Sequence, residues 1–293
     1  MNNQNQFNNN LKAFFLLLPT FIITILFYIY PLIKTFEISF TKGSLNTLQF
    51  HGIQNYITVL SDDRFHQAIF NTVLYSVVTV PISIAFATAI AIILHEKIKF
   101  QGVFEAIFLL PYIINTVAEG IIFQILLDPN YGIVNFALKF MQLQPINFLT
   151  DPDTALPTLI VFGIWSSTSF NIIILTTGLR TINQQYYFMA DIYGATYKEK
   201  FVNITLPHLI PLTTFLVVIN CVSSLKIYTE VYSIFNGKAG VGSSANTAIF
   251  YIYDKFYITN RYGEGMAATV ILFVIILFFT LIQYLFFQKI IKR

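Results

Sequence analysis

The chain has 293 residues, 56% of them hydrophobic and only 11% charged, and its formal net charge at pH 7 is +3. Ordinary soluble domains carry about 25% charged residues, and this surplus of apolar side chains is more than one water-soluble core of such length can hide. Composition therefore excludes a soluble protein and makes lipid the solvent, the small net charge gives no footing for nucleic acid, and a single cysteine, Cys221 in an apolar run, excludes a disulfide framework.

The first ten residues, rich in Asn and Gln, read as a disordered tail. A membrane helix needs about 20 apolar residues with few charges. Residues 14–33, 67–94, 154–179, 201–225 and 265–288 contain no Asp, Glu, Lys or Arg, and a sixth window, 106–127, is interrupted only by Glu119. The first window holds Pro19, Pro31 and bulky aromatics with no small-residue cleavage site, so it reads as a span and not as a signal peptide. The expected fold is an all-α integral membrane protein of six transmembrane helices. It divides into a tail over residues 1–12 and one membrane domain over 13–293.

Six spans place both termini on one side. The loops on that side hold Lys12, Lys97, Lys99, Arg180, Lys198, Lys200, Lys289, Lys292 and Arg293. The opposite loops hold Asp62, Asp63, Asp128, Asp151, Asp153, Asp254 and Glu264, with their basic residues spread over longer stretches. Positive-inside bias therefore puts both termini, and the loop between the fourth and fifth spans, in the cytoplasm of a multi-pass cell-membrane protein.

That loop, with the sequence YFMADIYGATYKEKFVNITLP from Tyr187 to Pro207, is a charge-bearing island between two apolar spans. Ala190, Gly194 and Ala195 followed by Ile204 to Pro207 resemble the "EAA" loop of permease subunits of binding-protein-dependent ABC importers, roughly EAA-x-x-DGA and then ITLP. The likeness runs along the whole chain in the same order. Phe15 to Pro19 with Tyr30-Pro31, then Gly52 to Tyr56, Asn71-Thr72, Leu110-Pro111, Tyr131 to Asn135, Trp165, Gly178 to Ile182, and Gly263 with Ala267 each resemble an element of the maltose- and glycerol-phosphate-type permeases.

The resemblance implies the MetI-like ABC importer permease architecture. Its implied partners are a second homologous permease, ATP-binding subunits and an extracytoplasmic solute-binding protein. It also implies an ATPase-docking loop at about 180–208, carried by Tyr187, Phe188, Ala190, Asp191, Tyr193, Gly194, Ala195, Leu206 and Pro207. A hairpin lying on the bilayer surface is the other reading of that segment. This chain departs from the family pattern at Phe188, where the motif has Glu, and at Tyr193, where it has Asp; Asn183 replaces a proline, and 236–240 replaces a "GGP" element. The docking surface is expected to be apolar, with Gly194 supplying a turn, Tyr186, Tyr187, Phe188 and Tyr193 acting as anchors, and Pro207 ending the helical segment.

A charge inside a span costs a few kcal/mol and faces the bundle interior, so Glu119 reads as a group on the solute route or as the partner of a neighbouring hydroxyl. Lys226 and Glu230 are four apart, which on a helix is one face and suggests an ion pair. They also fall with Asn220, Ser223, Ser224, Tyr228 and Thr229 where the resembled family has its substrate cavity. Hydroxyl, amide and aromatic groups suit a neutral sugar; a phosphorylated solute would need several cations.

Other chemistry is not signalled. Gly237-Lys238 lacks the rest of a phosphate loop, and His51, His66, His95 and His208 have no metal-ligand spacing. The sequence thus calls for no metal, no cofactor and no enzymatic centre. A stand-alone secondary transporter is the alternative reading, and would need coupling-ion groups and repeats; a membrane enzyme or scaffold would need a catalytic cluster or soluble domain.

Overall fold

The computed structural model describes residues 14–44, 47–95 and 99–291, with side chains to 288. The tail and the topology markers Lys12, Lys97, Lys292 and Arg293 lie outside the described residues. Among those described, five helices are long and apolar enough to cross a membrane: Phe14–Ser39, Asp63–His95, Pro152–Arg180, Tyr197–Ser224 and Tyr262–Gln288.

The third window does not form a straight span. It divides into helices Gln101–Ile113 and Thr116–Leu127, bent by 104° at the break, and makes the sixth crossing if the pair is taken as one. The cause is local. Ile114 is extended, and Asn115 caps the second helix by accepting a hydrogen bond from the Val117 amide at 2.9 Å, the role Asn prefers over a helix interior. Glu119 consequently sits in the first turn of a short helix and not in the middle of a long one.

Two of the prolines are entered through a π-helical turn. Ile25–Ile29 precedes Pro31, and Phe201–Thr205 precedes Pro207. Proline lacks the amide donor and crowds the carbonyl four residues back, and a widened turn accommodates both defects without ending the helix. Pro207 therefore stands near the start of Leu206–Ser224, inside the continuous span Tyr197–Ser224. The expectation that it stops the helix is corrected.

The chain packs as two compact units. The first draws on residues up to Asp62 and on Ile252–Phe273. Here a short antiparallel hairpin, Thr41–Lys42 with Gln49–Phe50, follows the first span. Asn55 ties it down by donating to the carbonyls of Ser39 and Thr41, both at 2.8 Å. Gly263 allows this join, because a Cβ there would lie 2.0 Å from the Thr41 carbonyl oxygen. Lys255, 7% exposed, bridges Asp62 at 3.1 Å and Glu264 at 2.9 Å. A buried cation needs such compensation.

The second unit comprises Asp63–Tyr251 and the segment from Val274 onward. The second and fourth spans form its spine. Gly163 lets them meet, since a Cβ there would fall 2.0 Å from the Tyr75 hydroxyl oxygen. One apolar core gathers Leu159, Phe162, Val231 and Ile234; another gathers Ile84, Leu175, Leu179 and Leu209.

Buried amides and hydroxyls join these elements. Asn71 donates to the carbonyls of Ser244 and Asn246 at 2.9 Å each, and Thr72 accepts from the Ala248 amide at 2.9 Å. The pair thereby pins the non-helical stretch between the fifth and last spans, whose backbone groups have no helix to satisfy them. Asn135 does the same for the loop before the fourth span, donating to the Ile146 carbonyl at 3.0 Å and accepting from its amide at 2.8 Å.

Candidate functional site

Two features of the second unit bear on function: a helical hairpin after the fourth span, and a cavity among the spans.

The hairpin begins where Asn183 caps helix Gln184–Ile192 by accepting from the Gln185 amide at 2.9 Å. It turns at Gly194, whose φ of +72° lies in the left-handed region. The Ala195 amide reaches back to the Ala190 carbonyl at 2.9 Å, and the Gly194 amide to that of Asp191 at 3.0 Å. This is the paired closure of a Schellman cap, which glycine makes without strain. The next helix starts at once. Thr196 accepts from the Glu199 amide at 3.3 Å, and the Glu199 carboxylate accepts from the Thr196 amide at 2.7 Å, a reciprocal capping box. Lys200 and Asp191, 2.8 Å apart, clamp one helix to the other, and the Tyr187 and Thr205 hydroxyls share a hydrogen bond of 2.8 Å.

A four-residue corner closed at both ends makes the hairpin a stiff piece. Its outer face is bare: Phe188 is 65% and Tyr193 83% exposed, with Asp191, Ala195, Leu206 and Pro207 at or near the surface and Ala190 half-buried. A Cβ on Gly194 would meet nothing within 4 Å. This glycine is required by backbone angle alone, not by a close approach within the chain. The base of the hairpin is anchored through Ile182, Tyr187 and Ile204, which pack on the core of Leu175, Leu179 and Leu209. An Arg180–Glu105 ion pair ties the end of the fourth span to helix Gln101–Ile113.

The cavity, of about 200 Å³, lies among the second, third, fourth and fifth spans and the short helix Thr229–Ile234. Its wall includes Tyr75, Tyr112, Phe170, Ser166, Ser167 and Glu230. Three residues of the fifth span, Asn220, Ser223 and Ser224, complete its polar side. Asn220 is held by a 2.7 Å bond to Asn171, and Ser224 by a 2.6 Å bond to Ser76. Glu119, 1% exposed, stands behind the wall, and Ser166 donates to its Oε2 at 3.0 Å. Its Oε1 has no hydrogen-bond partner among the described residues.

Of the residues singled out from sequence, Asn220, Ser223, Ser224 and Glu230 come together at this cavity, and Glu119 touches it through Ser166. Lys226 and Tyr228 do not line it. Lys226 is exposed, and Tyr228 packs on Tyr232 and Phe250 with ring centroids 5.7 and 6.0 Å away. Nor do Lys226 and Glu230 share a helical face. Helix Leu206–Ser224 ends before Lys226, and the next begins at Thr229, so their spacing of four carries no helical meaning. Sequence reading missed the contribution of the fourth span. Its signal was the run Ser166-Ser167-Thr168-Ser169, four hydroxyls in an apolar helix.

A wider cavity of about 650 Å³ lies between the segment Gln124–Tyr131 and the segment Ile234–Gly242. Asp128 closes one side. Burial pushes its carboxyl up, but hydrogen bonds from the Asn130 and Tyr131 amides and the Tyr131 hydroxyl outweigh this and hold it below the usual carboxylate range.

The hairpin, the broken third span and the polar cavity together describe the membrane half of a transport machine. The family model for the inner membrane component of binding-protein-dependent transport systems matches residues 80–292, and the chain belongs to that family. It is thus a multi-pass permease subunit of an ABC importer, and the stand-alone secondary transporter weighed from sequence falls away.

The chain is 30% identical over 272 residues to the trehalose/maltose transport system permease protein MalF of Thermococcus litoralis, covering 92% of this chain and 91% of that one. It is 28% identical over 280 residues to the arabinooligosaccharides transport system permease protein AraP of Bacillus subtilis, covering 94% and 89%. A chain in the crystal structure of a bacterial alginate ABC transporter, in complex with an alginate pentasaccharide-bound periplasmic protein, superposes with a TM-score of 0.88. That match has 25% identity and covers 99% of this chain and 98% of that one.

Proposed function

We propose that this subunit pairs with a second, homologous permease and with two ATP-binding subunits to import a neutral sugar. An extracytoplasmic solute-binding protein delivers that sugar to the outer loops. The hairpin at about 180–208 is the docking element for an ATP-binding subunit, both termini are cytoplasmic, and the cavity between the spans is part of the solute route. The observation that carries this reading is the construction of the hairpin. The short helix Gln184–Ile192 and the start of the fifth span are locked by a Schellman cap, a capping box and the Lys200–Asp191 bridge, yet they present Phe188 and Tyr193 to solvent. A stiff element with bare aromatics at its tip suits a lever whose tip fills an apolar groove on a moving partner. Closure of the ATP-binding subunits would then move the hairpin as one body and alternate access to the cavity.

The cavity supports the sugar. Tyr75, Tyr112 and Phe170 offer ring faces, and Ser166, Ser167, Asn220, Ser223 and Ser224 offer hydroxyl and amide groups, the combination that holds a ring carrying hydroxyls. No Lys, Arg or His is among its wall residues, and the two relatives named above are a trehalose/maltose and an arabinooligosaccharide permease.

The test is ATP-driven uptake by the reconstituted complex, with labelled maltose, trehalose and an arabinose disaccharide as probes. At least one should accumulate. Ser223→Trp, which fills the cavity, should cut that uptake at least tenfold, whereas Lys226→Ala, outside the cavity, should leave it within about twofold. Normal transport by Ser223→Trp, or accumulation of none of the three, would refute the assignment.

A further inference from the structure

We infer that a pocket beside the short hairpin of the first unit holds the phosphate headgroup of an anionic phospholipid, whose acyl chains lie over the apolar face of the helix Gln54–Leu60.

The pocket has a volume of about 720 Å³ and is built wholly from the first unit. Donors dominate its wall: Lys42 from the hairpin, His51, Gln54 and Thr58 from the next segment, and Arg261 from the turn before the last span. The side chains of Lys42, His51, Gln54 and Thr58 have no hydrogen-bond or ion-pair partner among the described residues. Two wall cations, Lys42 and Arg261, face the carboxylate of Glu264. That carboxylate is already engaged, by buried Lys255 at 2.9 Å and by Arg261 at 3.4 Å. Arg261 spends only part of its five-donor guanidinium there. A net positive wall with spare ammonium, amide, imidazole and hydroxyl groups suits a phosphate, which offers negative charge and only acceptor oxygens.

The face beside the pocket makes the occupant a lipid. Helix Gln54–Leu60 divides its surface in three. Asn55 and Val59 are buried within the unit, and Gln54 and Thr58 line the pocket. Ile53, Ile57 and Leu60, spaced four and then three apart, form one bare apolar stripe. Phe50, 82% exposed, precedes the helix, and Tyr257 and Ile258, just ahead of the wall residue Asn260, are bare as well. The hairpin ties this helix to the end of the first span, which keeps it at the level of the membrane surface. There aromatic side chains collect, and an amphipathic helix sinks its apolar face among acyl chains. An anionic phospholipid satisfies both faces at once. A free anion would leave the stripe uncovered, and a neutral apolar molecule would leave the donors unmet.

The complete permease complex in nanodiscs of neutral lipid tests this with two photoreactive probes, phosphatidylglycerol and phosphatidylcholine, each carrying the same diazirine on an acyl chain. Labelling of the peptide over residues 50–60 is quantified by mass spectrometry against labelling of the last span. One lysine beside an anionic headgroup is worth about fivefold in association, so phosphatidylglycerol should label this peptide about fivefold more than phosphatidylcholine does. Lys42→Gln combined with His51→Gln should bring the ratio to within about twofold of unity without changing the labelling of the last span, and Lys42→Arg should preserve it. Equal labelling by the two lipids in the unmodified chain, no labelling by either, or a preference that survives the double substitution would overturn the site. So would loss of the phosphatidylglycerol label on adding inorganic phosphate at constant ionic strength, which marks a free-anion site, or on adding the solute-binding protein, which marks a protein-docking surface.

Discussion

Gly194→Leu is expected to insert and assemble normally yet lose solute-stimulated ATP hydrolysis by roughly five- to thirtyfold. The residue holds φ at +72°, a region that costs a side-chain-bearing residue about 1–2 kcal/mol, and a shift of that size moves a two-state balance by about 5–30-fold. The strain falls on the corner that fixes the two helices of the hairpin relative to each other. Since a Cβ at this position meets nothing within 4 Å, loss of activity could not be put down to a clash inside the chain. Gly194→Asn provides the control, because Asn tolerates the left-handed region. It should keep more than half of the stimulated rate. Equal activity of the Leu and Asn variants, measured with liganded binding protein in proteoliposomes, would show that the corner's geometry does not matter to coupling.

The second large effect is structural. Gly163→Val should reduce the yield of monodisperse protein in detergent several-fold or more. A Cβ at Gly163 would stand 2.0 Å from the Tyr75 hydroxyl oxygen and 2.6 Å from its Cζ, and Tyr75 is itself buried in the apolar core. The second and fourth spans cannot separate to make room without opening the spine of the unit, so overpacking of about 1–3 kcal/mol is a lower bound. Gly163→Ala should fail less severely, and adding Tyr75→Ala should recover part of the yield by removing the ring. A Gly163→Val variant that purifies like the unmodified chain would mean that these spans do not meet as described.

The spans were legible because long charge-free runs have few other uses, and their observed ends lie within a few residues of the expected ones at the second and fourth crossings. The break at Ile114–Asn115 was not legible. Hydropathy counts side chains and does not register a backbone that turns by 104°, although an Asn after Pro111 in an apolar run was a cap signal in plain view. The same limit explains Pro207. Proline reads as a stop, but a π-helical turn at Phe201–Thr205 absorbs it and the helix continues.

The candidate sites divide in the same way. Gly194 was marked as a turn, and its left-handed angle supplies the reason. Asn55, Asn71, Thr72 and Asn135 were matched as motif letters, and the structure gives each a task, holding irregular backbone whose carbonyls and amides have no ladder to join. Lys226 and Glu230 show the cost of assuming a helix, because spacing maps to a face only where the chain is helical. The serines of the fourth span were visible as hydroxyls, but which of them face a cavity depends on neighbours far away in sequence, as the 3.0 Å bond between Ser166 and Glu119, 47 positions apart, illustrates.

The central claim, that the hairpin is where this permease meets an ATP-binding subunit, is tested most directly by photo-cross-linking in the assembled complex. A benzoylphenylalanine is placed at Tyr193, 83% exposed at the hairpin corner, and separately at Tyr131, 75% exposed in the loop between the third and fourth spans. The Tyr193 probe should cross-link to an ATP-binding subunit, and the Tyr131 probe should not. A Tyr131 probe that captures the ATP-binding subunit, or a Tyr193 probe that captures only lipid or the solute-binding protein, would contradict both the orientation and the docking role.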